Sequence, residues 1–289
     1  MKGRTVAVTG ATSGIGRATA EALSRMGASL ILSGRSEKRL SAIGEDIGRE
    51  TGSVPILLPA DLSCMDEVRR LAAEIRRNAS RLNVLINNAG TIVGDRRQTT
   101  DGHEYTFALD HLAPFLLTNL LLDLLISSAP SRIVTVSSSA HHFGRIHFDD
   151  IGMEHGYTPF MAYAQAKLAN VLFTYELARR LGGTGVTANC LDPGPVRTRF
   201  GNEATGLLRI GLVVIRPFEL SPSRGARTSI FLASSPEVAD VTGRYFVRRR
   251  PRRSSSSSYD REVARRLWAI SADLAGLDGR PGPERSKHL

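Results

Sequence analysis

Thr9-Gly10-Ala11-Thr12-Ser13-Gly14-Ile15-Gly16 follows the apolar run Thr5 to Thr9 directly and opens a helical pattern from Ile15 to Met26. A glycine-rich turn between a strand and a helix lets backbone amides and the helix N-terminus approach a pyrophosphate with no Cβ in the way. Glycines also serve ordinary strand-to-helix turns, so the octapeptide needs its surroundings to decide it.

Outward from the loop, short β-branched runs alternate with longer amphipathic ones. Strands are expected near Thr5–Thr9, Ser29–Ser33, Val54–Leu58, Val84–Asn87, Arg132–Ser137, Gly185–Leu191 and Val241–Val247. Helical patterns cover Ile15–Met26, Met65–Ile75, Tyr105–Ile126 and Phe160–Leu181, the last stopped by Gly182-Gly183. The alternation predicts an α/β fold: one doubly wound, Rossmann-like domain with a seven-stranded parallel sheet and helices on both faces. In such a fold a ligand binds at the carboxyl ends of the strands, and the loop becomes a dinucleotide site. No internal repeat or linker divides residues 1–289. Residues 193–222, with the apolar stretch Leu207 to Ile215, read as a lid over substrate or as a shallow membrane-surface segment. Residues 248–258 read as a flexible basic and serine-rich loop, and 260–275 as a C-terminal helix.

Composition narrows the class. The chain has 42% hydrophobic and 23% charged residues, ordinary for a globular protein, and carries a formal net charge of +10. Six arginines fall between Arg244 and Arg253, just before the run Ser254 to Ser258, so much of the excess belongs to one segment. Nucleic acid is not expected to bind it, because the only interleaved aromatics, Tyr245 and Phe246, belong to a strand pattern. Cys64 and Cys190 have no metal-ligand spacing and imply no disulfide framework, which suits a reducing cytoplasm. No apolar run reaches the roughly 18 residues of a spanning helix, and no h-region precedes Thr5, so a soluble, unprocessed chain is expected.

The end of the second strand would carry a carboxylate if it held an NAD ribose. It reads Leu32-Ser33-Gly34-Arg35 instead, and Arg17 follows the last loop glycine. Two guanidinium groups suit a 2′-phosphate, which favours NADP(H), with NAD(H) the alternative; both arginines also read as solvated helix-end charges. Further on, Tyr163-Ala164-Gln165-Ala166-Lys167 places a phenol and an ammonium on one helix face. The ammonium stabilises phenolate and lowers the phenol's pKa toward working pH, which makes the pair an acid/base candidate.

The order of these features is specific: the loop at Thr9 to Gly16, Asp61-Leu62 after strand three, Asn87-Asn88-Ala89-Gly90 after strand four, Ser137-Ser138-Ser139 after strand five, the Tyr163/Lys167 pair, then Pro193-Gly194. Over nearly its whole length the chain resembles the short-chain dehydrogenase/reductase family. The stretches Phe115 to Leu120, Ala129 to Val134, Ala140 to Gly144, Lys167 to Thr174 and Arg266-Leu267-Trp268 look like the retinol dehydrogenase branch. Members of that branch commonly carry an N-terminal membrane anchor, which is not seen here, and act on lipophilic aldehydes and alcohols with NADP(H). The resemblance implies that Thr9, Gly10, Ser13, Gly14, Ile15 and Gly16 cradle the pyrophosphate. It puts Asp61 and Leu62 near the adenine and Asn87, Ala89 and Gly90 along the adenosine ribose. Tyr163 and Lys167 would meet the nicotinamide ribose, and Pro193, Gly194, Val196 and Thr198 the nicotinamide. Ser138, the best matched of three serines, would bond the substrate oxygen. In reduction Tyr163 would donate a proton to that oxygen as hydride arrives from NADPH, with Lys167 and a water chain replenishing it.

One departure falls on the relay. Where the family supplies an asparagine, this chain has Asp110, which keeps an acceptor, loses an amide donor and competes with Tyr163 for the Lys167 charge. Ala113-Pro114 replaces the branch's usual Gly-His, and Asn83 stands where aspartate is common. A catalytically impaired dinucleotide-binding sensor or scaffold is therefore the rival reading, and a sugar-nucleotide epimerase a third, disfavoured by the loop spacing. His141 and His142 read as solvated loop residues, with lining of the substrate pocket the alternative, and neither is counted as catalytic. The sequence leaves the substrate, the direction and the oligomeric state, monomer or homo-oligomer, open.

Overall fold

The computed structural model describes residues 1–196 and 220–277. Its strands are β1 (Thr5–Thr9), β2 (Ser29–Gly34), β3 (Ile56–Pro59), β4 (Val84–Asn87), β5 (Ser131–Val136), β6 (Val186–Asp192), β7 (Tyr245–Val247) and β8 (Arg250–Arg252). They form one sheet in the order β3-β2-β1-β4-β5-β6-β7-β8. β1 to β7 pair in parallel, and β8 returns antiparallel to β7. The chain winds outward from β1 to β3, then crosses back to β4 on the other side of β1. The carboxyl ends of β1 and β4 are thus the switch point at which a crevice opens.

Side chains of β1 alternate between two cores. Val6 and Val8 pack beneath α1 (Gly14–Arg25) and α2 (Glu37–Thr51). Ala7 faces the layer of α3 (Met65–Asn78), α5 (Ala113–Leu120) and α7 (Pro159–Arg180). α7 begins with Thr158 Oγ1 accepting from the Met161 amide at 3.3 Å and with Pro159 in the first turn. It is buried on nearly every side because the C-terminal helix, α10 (Arg261–Leu274), lies against its outer face. There Trp268 meets Phe115 and Phe173 at ring separations of 5.0 and 5.7 Å. α8 (Pro222–Gly225) and α9 (Arg227–Ser234) complete the opposite layer.

Three expectations are corrected. The sheet has an eighth strand among the described residues, because Arg248 and Arg249, at φ of 50° and 64°, make a two-residue turn of the kind that matches sheet twist. The basic stretch is therefore a hairpin. The serine run is packed as well: Ser254, Ser255 and Ser258 are buried, and residues Ser256–Tyr259 form a 3₁₀ turn.

The single helix expected over Tyr105–Ile126 is instead α4 (Tyr105–Phe107), a π-helical turn at Ala108–Leu112, α5, and α6 (Leu122–Ser127). Pro114 explains the break, since it has no N–H to give the Asp110 carbonyl four residues earlier. That carbonyl accepts instead from Asn170 Nδ2 of α7 at 2.8 Å. Asn83 is used as an amide: its Oδ1 accepts from the Thr5 amide at 3.0 Å and its Nδ2 donates to the Ser128 carbonyl at 3.2 Å. An aspartate could not make the second bond.

Candidate active site

The glycine loop is locked onto the end of β4. Thr9 Oγ1 accepts from the amides of Asn88 and Ala89 at 3.0 and 3.1 Å, and Asn88 Nδ2 donates to the Thr9 and Gly10 carbonyls at 2.9 and 3.3 Å. Gly10 and Gly14 have φ of 65° and 56°, where a Cβ is strained. A Cβ on Gly16 would collide with the Gly10 carbonyl and lie 2.5 Å from Asn88 Nδ2. Ser13 stands before α1 without capping it through its side chain, so first-turn amides are left toward the crevice. This cradle fits a dinucleotide pyrophosphate. Asn88, the clamp, was legible only as one letter of the asparagine pair.

Elsewhere along the expected cofactor path the side chains do different work. Asp61 Oδ1 accepts from the Ser63 amide and hydroxyl at 3.0 and 2.8 Å, shaping the turn after β3. Leu62 is buried in the core. Asn87 Nδ2 donates to Thr118 Oγ1 at 2.9 Å, tying β4 to α5. Arg17 is turned away along α1, paired with Glu21 at 2.7 Å and Asp46 at 2.9 Å. Arg35, at the end of β2, donates to the Tyr105 hydroxyl at 3.0 Å and is exposed. The two arginines thus have separate partners, Glu21 and Asp46 for Arg17 and Tyr105 for Arg35. Pro193, Gly194 and Val196 follow β6, with Val196 bridged to Leu220 and packed near Gly225 and Ile15. Thr198 and the apolar Leu207 to Ile215 lie outside the described residues.

The titratable groups converge where β4, β5 and α7 meet. Lys167 Nζ lies 5.2 Å from the Tyr163 ring centre and 2.8 Å from Asp110 Oδ2, with the Lys167 and Asp110 side chains 4% and 0% exposed. Asp110 Oδ1 accepts from the Thr91 amide at 2.8 Å, and Gly90 leaves room for the pair, since a Cβ there would sit 3.1 Å from both charged atoms. Burial pulls the Lys167 ammonium down, but Asp110 and Tyr163 more than offset it, so its pKa is raised. Burial also raises Asp110, against the pull of Lys167 and the Thr91 amide. With an ammonium and an N–H both at 2.8 Å, we take the carboxyl as ionised and the pair as charged. Tyr163 corrects the expectation of a lowered phenol: burial raises it, Lys167 and Ser138 lower it, and Asp110 raises it again, with a net rise.

The three serines separate cleanly. Ser137 Oγ donates to the Lys167 carbonyl at 2.8 Å. Ser139 supports Asp192. Ser138 hydrogen-bonds Tyr163. Asp192 was missed in the sequence; it is buried at the carboxyl end of β6, accepts from the Gly194 amide at 2.9 Å, and has its carboxyl raised by burial. Its signal was a carboxylate directly before Pro193-Gly194. His141 is not solvated: it is fully buried, and burial pulls its imidazole down to about 4. His142 is exposed. Among the described residues no helix is long and apolar enough to cross a membrane.

The family description "short chain dehydrogenase" matches residues 4–206. Human retinol dehydrogenase 14 is 45% identical over 96% of this chain and 88% of its own length. An uncharacterized protein from Mycobacterium paratuberculosis has a crystal structure that superimposes with a TM-score of 0.76 at 34% identity, covering 95% of this chain and 94% of that one. A short chain dehydrogenase from Shigella flexneri, complexed with NADP, superimposes at 0.69 with 27% identity, over 86% of this chain and 98% of that one. With the glycine cradle at the switch point and the Tyr163/Lys167 pair beside it, these matches establish that the chain belongs to the short-chain dehydrogenase/reductase family, as an oxidoreductase acting on CH–OH donors with a nicotinamide dinucleotide and with retinol dehydrogenases among its relatives.

Proposed function

We propose that this chain is an NADP(H)-dependent oxidoreductase that interconverts the carbonyl and alcohol of a lipophilic small molecule. The observation that carries the reading is the hydrogen-bonded and ionic chain Ser138, Tyr163, Lys167, Asp110, ending beside a glycine cradle built for a pyrophosphate. The bound cofactor supplies or accepts a hydride at the substrate carbon. Ser138 and Tyr163 hold the substrate oxygen, and Tyr163 donates its proton to that oxygen in reduction or withdraws it in oxidation. Lys167 keeps its ammonium beside the phenol, and Asp110 keeps that ammonium charged.

NADP(H) is favoured by Arg35 at the end of β2, where no carboxylate stands to receive a ribose hydroxyl. The Shigella flexneri relative, complexed with NADP, supports the same assignment. A lipophilic substrate is supported by the name of the human relative, a retinol dehydrogenase.

The test runs NADPH and NADH in parallel against a panel of apolar aldehydes and ketones, following nicotinamide absorbance. Turnover with preference for NADPH is expected, and Arg35→Asp should erode that preference. An unchanged cofactor ratio in the variant removes Arg35 from the 2′-phosphate site. NADPH binding without turnover of any carbonyl would instead favour the sensor reading that Asp110 raises.

A further inference from the structure

The serine run folds back onto the turn after β5 that carries Ser138. The Ser255 amide donates to His141 Nε2 at 3.1 Å, and His141 Nδ1 lies 2.6 Å from the Ser138 carbonyl oxygen. A backbone amide can only donate, so Nε2 carries no proton. The neutral ring then has its proton on Nδ1 and donates it to the Ser138 carbonyl. The ring is fully buried and packs on Tyr245 at 4.7 Å.

Ser255 is itself fixed. Ser258 donates to the Ser255 carbonyl through both its amide at 3.1 Å and its hydroxyl at 2.6 Å. Ser254 Oγ shares hydrogen bonds with Ser258 Oγ at 2.6 Å and with the Tyr175 hydroxyl at 2.8 Å. Tyr175 lies on α7, the helix that carries Tyr163 and Lys167. A closed circuit results: from Tyr163 along α7 to Tyr175, through Ser254 and Ser255 to His141, then to Ser138 and back to the Tyr163 phenol. Ser138, whose neighbour Ser137 is already tied to α7 through the Lys167 carbonyl, is thereby held in register with α7 by a further route outside the sheet.

We propose that His141 is a positioning residue, which with the Ser255 amide fixes the backbone of Ser138 and so aims its hydroxyl at Tyr163 and the substrate oxygen. The buried serine turn is the anchor of that bond. This inference rests on the role proposed for Ser138.

The test uses the full chain with three variants, His141→Phe, His141→Asn and Ser138→Ala, each measured for Tm, NADPH affinity by fluorescence, and kcat with the fastest carbonyl of the panel. His141→Phe should lower kcat roughly ten- to a hundredfold with NADPH affinity unchanged, the loss that follows small misplacement of a reacting group. His141→Asn, whose amide nitrogen can take the place of Nδ1 but which has no atom at the Nε2 position to accept from the Ser255 amide, should recover part of that kcat although it also loses the ring's packing on Tyr245. If both variants lose Tm yet keep wild-type kcat, His141 only packs and the proposal fails. Full activity in Ser138→Ala would instead sink the role of Ser138 itself. A spectroscopic arm is independent of turnover: the ¹⁵N-histidine spectrum of the wild-type chain should show His141 protonated at Nδ1, and an Nε2-protonated ring overturns the proposal.

Discussion

Replacing Asp110 by asparagine keeps the shape of the side chain and its bond from the Thr91 amide, and removes one charge. At 2.8 Å and an effective dielectric of about 20, the lost attraction to Lys167 is about 6 kcal/mol in gross terms. The desolvation of two buried ions, several kcal/mol each, opposes it, and removing one partner of such a pair typically costs about 3–5 kcal/mol. Because the Thr91 bond survives, the lower end applies, about 3 kcal/mol, which corresponds to a fall in Tm of roughly 6–12 °C.

The kinetic sign follows from the same charge. Asp110 raises the pKa of both Lys167 and Tyr163, so in the variant both groups give up their protons at lower pH. Alcohol oxidation needs a phenolate and an ammonium together. Its acid limb, set by Tyr163, and its alkaline limb, set by Lys167, should therefore both move to lower pH. In reduction, which needs the phenol protonated, activity should begin to fall at lower pH than in the wild type. Calorimetry and pH–rate profiles in both directions check this. An unchanged Tm together with superimposable profiles would show that Asp110 neither holds Lys167 nor belongs to the relay.

Gly16→Ala should weaken NADPH binding by roughly ten- to a hundredfold, from about 1–3 kcal/mol of overpacking against Gly10 and Asn88, read by fluorescence titration. Ser137→Ala should cost about 1 kcal/mol of stability, for its bond to the Lys167 carbonyl, with kcat per folded molecule little changed. Ser138→Ala should lose on the order of a hundredfold in kcat, and equal losses in the two variants would refute the separation of the serines. Arg249→Gly should raise Tm by a few degrees, since relief of about 1–2 kcal/mol of left-handed strain exceeds the roughly 0.5–1 kcal/mol of entropy glycine adds; a lower Tm would show that the arginine side chain holds the turn.

The parallel sheet and the glycine loop were legible because buried strands and a phosphate turn are local patterns, read over a few residues at a time. Tyr163 and Lys167 were legible for the same reason, as one helix turn. What could not be read depended on partners far along the chain. The break at Ala108–Leu112 comes from Pro114 together with Asn170, whose amide donates from another helix to the freed carbonyl. Arg17 beside the loop also pairs with Asp46, 29 residues away on another helix, a partner that the loop's own sequence does not show. His141 looked like a loop histidine because its partner Ser255 lies 114 residues on, in a run whose composition reads as a tether.

β8 completes the sheet with Arg250-Pro251-Arg252, all exposed. Val247 faces Arg250 across the two-residue turn and forms the hydrogen-bonded pair there, so by antiparallel alternation the next pair, Phe246 and Pro251, is not hydrogen-bonded. Pro251 therefore turns its ring nitrogen outward, at the point where another residue would offer an N–H to a neighbouring strand. Two flanking guanidinium groups add repulsion against any like-charged edge. The segment that looked like a surplus of charge gives the sheet a border that a second copy of the same strand cannot extend, and it guards the folded protein against edge-to-edge aggregation.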